Sequence, residues 1–222
     1  MSLESRKSTA LQDPGAEMLE QVTSLWDRYG RIALGVLGAL VVIGVVAFYT
    51  VRQNAAQDNV ASGKLLEADR LFLQGDLERA KTVAEDVSRT YGSTPSGNDA
   101  HRLAGDAAYW LRDWKDAISN YQAYLAKNGK GLLADCVRRS LAYTYDCNAQ
   151  YADAARIYDG LVGAFDRESS GEMLAASARC FVALGNKPEA IKRLQRLIDE
   201  YGDTSYANPA RERLAELGGA AI

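Results

Sequence analysis

An alanine recurs at Ala80, Ala117, Ala154 and Ala190, at steps of 37, 37 and 36 residues, each time inside a similar segment. The segments are GDLERAKTVAEDV from Gly75, RDWKDAISNYQAY from Arg112, AQYADAARIYDGL from Ala149 and GNKPEAIKRLQRL from Gly185. Each reads as a short turn followed by an amphipathic helix. Three residues before the alanine stand Leu77, Trp114 and Tyr151, with Lys187 breaking the series, and four after it stand Ala84, Tyr121, Tyr158 and Leu194. A second helix precedes each turn, because its facing positions repeat as well. Twelve residues before each alanine are the small residues Ala68, Gly105, Ala142 and Ala178, and nine before are Leu71, Ala108, Tyr145 and Phe181. Small residues where two helices cross let the backbones approach, and the bulky neighbours fill the gaps beside them. A unit of this kind buries its apolar face only by stacking on the next, so the pattern predicts an all-α helix-turn-helix solenoid of about four repeats. The stretch SYANPARERLAEL, from Ser205 to Leu217, supplies a final helix whose polar Arg211, Glu212 and Glu216 suit a cap.

A different segment lies upstream. From Ile32 to Val51 the chain runs for twenty residues without a charge, about 30 Å of helix at 1.5 Å per residue and the thickness of a bilayer's hydrocarbon core. The run is too long for the apolar region of a secretory signal, follows a 31-residue head, and precedes no clear small-x-small cleavage site, so it reads as a permanent anchor. Trp26 and Tyr29 before it, and Phe48 and Tyr49 near its end, sit at the depths that amphipathic rings favour. Gly35, Gly38 and Ala39 give it a small-residue face able to admit a second helix. The expected organisation is a head over 1–31, a transmembrane helix over 32–51, a linker or helix continuation over 52–60 and the repeat domain over 61–222. Met18, Leu19, Val22, Leu25, Trp26 and Tyr29 form an apolar stripe in the head behind an Asp13-Pro14 helix start. Arg28 and Arg31 outnumber Arg52 close to the span, but Lys64 and Arg70 reverse the ranking over a longer window, so charge alone orients the span only weakly.

Gly105, Ala117 and Tyr121, a small, small, aromatic set, resemble the tetratricopeptide repeat pattern. The period exceeds the usual 34 residues, which implies longer links such as TYGSTPSGND from Thr90. Head, single span and C-terminal repeats together resemble the ancillary SecYEG translocon subunit family. That resemblance implies a bacterial inner-membrane protein with a cytoplasmic head and a periplasmic repeat domain, associated with the translocon and with chaperones. It also implies a concave groove lined by the first helix of each pair. Mapped through the aligned alanines, the groove receives Arg102, Asp106, Tyr109 and Trp110 from the second unit, Arg139 and Tyr143 from the third, and Arg179 from the fourth. Arginine and aromatic side chains are enriched at binding hot spots, and an acidic C-terminus or peptide carboxylate would pair with Arg102, Arg139 or Arg179. The bland alternative is that the tyrosines pack between repeats and the arginines are solvated charge.

Composition narrows the function further. With 26 Lys+Arg against 29 Asp+Glu the chain is near neutral, without the concentrated basic surface a nucleic-acid partner requires. His101 is the single histidine, and Cys136, Cys147 and Cys180 are three widely spaced cysteines. These assemble no metal set, no cofactor cradle and no His-based triad. Cys136 and Cys147 share one helix and cannot bridge; Cys147 to Cys180 is conceivable in an oxidising compartment, and buried free thiols are the favoured reading. The GSTPSGND stretch lacks the Lys-Ser/Thr ending of a phosphate loop, His101 reads as helix-entry decoration near Asp99, and Ser169 with Glu172 reads as a capping box. The expected function is a non-enzymatic, membrane-anchored scaffold for protein partners, an ancillary subunit of the translocation machinery. The competing expectations are a structural subunit of a respiratory or photosynthetic complex and, more remotely, an enzyme using an unrecognised carboxylate site.

Overall fold

The computed structural model describes the backbone of residues 14–218 and the side chains of residues 23, 26, 28–32 and 34–218. Asp13 of the expected helix start, and the side chains of Met18, Leu19, Val22 and Leu25 in the head stripe, lie outside the described residues. Among the described residues every regular element is a helix: α1 (Pro14–Leu73), α2 (Leu77–Thr90), α3 (Pro95–Trp110), α4 (Trp114–Asn128), α5 (Ala134–Cys147), α6 (Tyr151–Leu161), α7 (Arg167–Ala183), α8 (Lys187–Glu200) and α9 (Ala207–Glu216). The chain divides into two compact units, Met1–Gln53 and Asn54–Ile222, and α1 contributes to both.

In the first unit α1 is long and apolar enough to cross a membrane, with a mean hydropathy of 2.6 in its most apolar stretch and none of that stretch buried. A side chain added at Gly35 or Gly38 would meet nothing within 4 Å, and Ala39 is exposed beside them.

In the second unit the helices pair as the alanine period predicts. The end of α1 packs on α2 through Leu65, Ala68 and Leu71 against Ala80, Ala84 and Val87, α3 pairs with α4, α5 with α6 and α7 with α8, and α9 closes the series against α8. Packing is dominated by helices adjacent in sequence, with a smaller contact between α3 and α5. The crossing residues Ala68, Ala80, Ala117, Ala142, Ala154, Ala178 and Ala190 are all buried. At Gly105 the crossing leaves no room for a side chain, because a Cβ there would stand 2.7 Å from the Tyr121 ring. The largest core gathers Tyr121, Tyr124, Val137, Leu141, Tyr158, Leu161 and Met173 from α4 to α7. A second joins α1, α2 and α3 through Leu65, Val87 and Leu103, and a third joins α7, α8 and α9 through Leu174, Leu197 and Leu214.

The four turns inside the pairs share one construction. Gly75, Arg112, Ala149 and Gly185, spaced like the alanines, all adopt positive φ, at 83°, 61°, 59° and 71°. The amide of the following residue reaches back to the helix before it: Asp76 to Leu71, Asp113 to Ala108, Gln150 to Tyr145 and Asn186 to Phe181. This is the Schellman closure of a helix C-terminus. The same residue opens the next helix, since Asp76, Asp113 and Asn186 accept from the amides of Arg79, Asp116 and Glu189, while Gln150 makes no side-chain cap. A left-handed conformation strains a residue with a Cβ. Replacing Ala149 by Gly relieves that strain and loosens the unfolded chain, so a net gain of about 0.5–1 kcal/mol is expected in urea denaturation.

Three sequence expectations are corrected here. The link from Thr90 is shorter than it reads: Thr94 caps α3 through the Gly97 amide at 3.0 Å, and Pro95 already stands inside the helix. The capping box at Ser169 does not form, because Asp166 is the cap of α7 and Ser169 is the residue whose amide it accepts, at 2.7 Å. An extended Asp three residues upstream outcompetes a serine already inside the helix. Finally, all three cysteines are free thiols, but only Cys180 is buried, whereas Cys136 and Cys147 are exposed.

Candidate functional site

The first helix of each pair presents one row of positions along the stack, and the repeat period fixes what each contributes. Asp69, Asp106, Tyr143 and Arg179 are equivalent by that period, as are Phe72, Tyr109, Asp146 and Val182. Five of the seven residues expected in the groove come together between α3 and α5. Asp106, Tyr109, Trp110 and Tyr143, with Tyr121 and Ser140, line a hollow of about 300 Å³. Arg102 and Asp106 border a smaller one of about 200 Å³ beside it, with Leu133, Cys136, Val137 and Ser140. Trp110 is the conspicuous member, 65 % exposed at the lip of the hollow. It stands edge-on to Tyr109, with ring centroids 6.0 Å apart, and Tyr109 rests in turn on Trp114 at 5.5 Å.

Beneath this aromatic edge the charges neutralise one another. The Arg102 guanidinium grips Asp99 through Nε and Nη2, at 2.9 and 3.0 Å, and Asp106 through Nη1 at 2.9 Å. The second oxygen of Asp106 accepts from the Tyr121 hydroxyl at 2.7 Å. Burial pushes the Asp106 carboxyl above the usual carboxylate range, against the pull of Tyr121 and Arg102. Burial and the neighbouring Asp106 carboxylate push the Tyr121 phenol up as well. Arg102 is therefore a structural cation, held by both its neighbours on α3, rather than a free hand for a ligand carboxylate.

The other two arginines lie elsewhere. Arg139 covers the Phe165 ring at 5.2 Å. Arg179 crosses from α7 to Asp146 on α5. Tyr143 bridges the same two helices by donating to Glu172 at 2.5 Å. These two links staple α5 to α7 and separate the α3–α5 hollow from the end of the stack. Asp146 also lies by the Cys180 thiol, which burial, with this carboxylate adding, pushes up to about 12. Cys180 thus stays protonated and unreactive through the ordinary pH range. His101 faces Asn120 across α3 and α4, with 3.2 Å between Nδ1 and Oδ1, which makes it a packing residue rather than an entry decoration. Among the described residues no three His, Cys, Asp or Glu side chains gather to hold a metal.

Sequence reasoning passed over Ser140, Cys136 and the polar role of Tyr121. The signal was present, because Asp99, Arg102 and Asp106 stand three and four residues apart on one helix, the spacing of mutually satisfied ion pairs.

Tetratricopeptide-repeat family models match residues 65–131 and 176–204. No curated protein matches the sequence. Among solved structures, a tetratricopeptide repeat protein from Parabacteroides merdae superposes with a TM-score of 0.60 at 15 % identity, covering 71 % of this chain and 60 % of that one. A MamA RS-1 double mutant gives 0.56 at 14 % identity, covering 71 % and 83 %. Nearly identical TPR-like repeats from Podosopora anserina give 0.55 at 19 % identity, covering 70 % and 84 %. At these identities the likeness is one of fold.

Proposed function

We propose that this all-helical solenoid, matched over 65–131 and 176–204 by tetratricopeptide-repeat models, is a membrane-anchored, non-enzymatic scaffold whose repeat face binds protein partners beside the bilayer. In this reading residues 1–31 form a cytoplasmic head, 32–51 the span in a bacterial inner membrane, and 61–222 the periplasmic binding domain. The finer assignment is an ancillary subunit of the protein-translocation machinery, supported by the order of head, span and repeats. Tethering the repeats to a span raises their effective concentration near a membrane partner without any further contact.

The observation that carries the reading is the α3–α5 hollow: an exposed tryptophan, three tyrosines and a neutralised polar floor, ready-made for a protein side chain. Large aromatic groups at the lip of a recess are what binding hot spots use. The carboxylates beside this hollow, Asp99 and Asp106, are engaged by Arg102 and Tyr121, so neither is a free acid or base there.

The test is a photo-crosslinking amino acid placed at Cys136, exposed at the border of the adjoining hollow, in the full chain, followed by mass spectrometry of the captured proteins. Translocon components or their chaperones are the expected catch. Recovery of respiratory or photosynthetic subunits instead would transfer the protein to a different membrane assembly. In parallel, Trp110→Ala is expected to weaken partner capture by about tenfold or more, the scale of a hot-spot truncation. Undiminished capture by that variant would remove the hollow from the reading.

A further inference from the structure

The link before α5 is unlike the links before α3 and α7. Thr94 and Asp166 cap those two helices through the Gly97 and Ser169 amides. At the same place α5 has Leu133, with no side-chain cap, although leucine is among the least favoured residues there. Helix stability therefore does not account for Leu133, which is 41 % exposed, and burial does not account for Leu132 beside it, which is 99 % exposed. The turn that presents them is hydrogen-bonded: the Gly131 amide donates to the Asn128 carbonyl at 2.9 Å, and the Ala134 amide to the Gly131 carbonyl at 3.0 Å. From Lys127 to Ala134 the link carries two lysines and no acid. Lys130 is exposed at its tip, and the first acid beyond it, Asp135, is held by Arg138 at 2.5 Å.

The place of the link in the stack adds a second constraint. Lys127, at the end of α4, donates to the Gly92 carbonyl of the preceding link at 2.6 Å, and the Ser96 amide donates to Asp58 of α1 at 2.8 Å. These bonds put the α4–α5 link at the end of the stack where the chain enters its second unit, whereas the left-handed turns stand at the far ends of α1, α3, α5 and α7. In sequence, Asp58 follows Val51, the last residue of the proposed span, by seven residues. Seven residues in any conformation reach at most about 25 Å.

We propose that the α4–α5 link is an interfacial membrane contact, with Leu132 and Leu133 entering the acyl boundary of an anionic bilayer and Lys130 lying among its headgroups. The residue types select lipid over protein. Leucine is under-represented among protein hot spots and lysine is depleted from protein interfaces. At a bilayer surface, by contrast, apolar side chains reach the acyl boundary while a neighbouring lysine lays its stem along them and keeps its ammonium in the polar layer. The inference rests on the reading of 32–51 as a span, and it gives the repeat domain a second hold on the bilayer. Two holds, unlike one, fix the orientation in which the α3–α5 hollow meets a partner.

The experiment uses the full chain in vesicles of phosphatidylglycerol and phosphatidylcholine, with an environment-sensitive fluorescent amino acid in place of Leu132 or, separately, of Leu184, which is exposed beside the far turn at Gly185. Co-flotation with the vesicles reads anchoring independently. An interfacial segment lies about 5–10 Å into the headgroup and acyl boundary. At that depth the probe at 132 is expected to lose about half its emission or more when the lipids carry brominated acyl chains, and the probe at 184 almost none. Leu133→Asp places a favoured cap on α5, so it is expected to raise thermal stability while lowering the quenching at 132 by about half. A leucine kept for the fold alone would not separate the two readouts. Lys130→Glu, or replacing phosphatidylglycerol by phosphatidylcholine, is expected to lower the quenching likewise. Anchored chains in which 132 is quenched no more than 184 would overturn the proposal, as would quenching that neither variant nor neutral lipid changes. A blue shift at 132 without quenching would overturn it too, by placing the residue against protein. A chain that does not float with the vesicles refutes the span and this contact together, whereas a floating chain with 132 unquenched refutes the contact alone.

Discussion

Gly97→Ala is expected to destabilise the repeat region by about 3 kcal/mol or more, while Gly160→Ala stabilises it by about 0.5–1 kcal/mol. The two glycines both lie in helices, and the same methyl is added to each. At Gly97, in the first turn of α3, that methyl would stand 1.9 Å from the Tyr91 carbonyl oxygen and 2.3 Å from its carbon. The obstacle is backbone at the end of α2, so no side chain can swing away to relieve it. Asp58 of α1 receives the Ser96 amide at 2.8 Å in the same corner, and shifting α3 would break that bond too. At Gly160, exposed on α6, the methyl meets nothing within 4 Å, which leaves only the better helix propensity of alanine. Urea denaturation followed by circular dichroism reads both. Equal and small effects would mean that α2 and α3 do not approach as described.

Tyr121→Phe and Tyr158→Phe are expected to move stability in opposite directions. The two tyrosines occupy the same position in successive repeats and are both buried. Tyr121 donates to the Asp106 carboxylate at 2.7 Å, and losing a bond to a charged acceptor costs about 1.5–3 kcal/mol. In the next unit the place of Asp106 is taken by Tyr143, whose hydroxyl is turned to Glu172. The Tyr158 hydroxyl is left buried without a hydrogen-bond partner among the described residues. Removing an unsatisfied buried hydroxyl returns its desolvation penalty, a gain of about 1–3 kcal/mol. Thermal unfolding of the two single variants checks the signs, and a loss at both positions would place an ordered water on Tyr158.

The alanine series was enough to place the helix pairs, because small residues at crossings are a requirement of close approach and recur wherever the crossing does. The turns were equally legible at Gly75 and Gly185, where glycine marks the left-handed residue. They were less so at Arg112 and Ala149, which adopt the same conformation without the usual residue. What the sequence could not disclose was pairing across the stack. Nothing local tells that Arg179 reaches Asp146, 33 residues away, or that Arg139 settles on Phe165. Asp166 and Ser169 show the converse difficulty. Both are good caps, and the choice between them depends on where the preceding loop turns extended, at φ −68° and ψ 176° for Asp166.

The turn that ends one helix and starts the next has a consequence for how the polypeptide is made. Each joint is completed by backbone bonds and, at three of the four, by a side-chain cap within a few residues, and each helix docks mainly on its neighbours in sequence. A nascent chain leaving the ribosome therefore has its docking platform in place before the next segment arrives, and no early segment waits, apolar face uncovered, for a distant one. Vectorial assembly of this kind lets the stack grow one helix at a time, in the order in which the chain is translated.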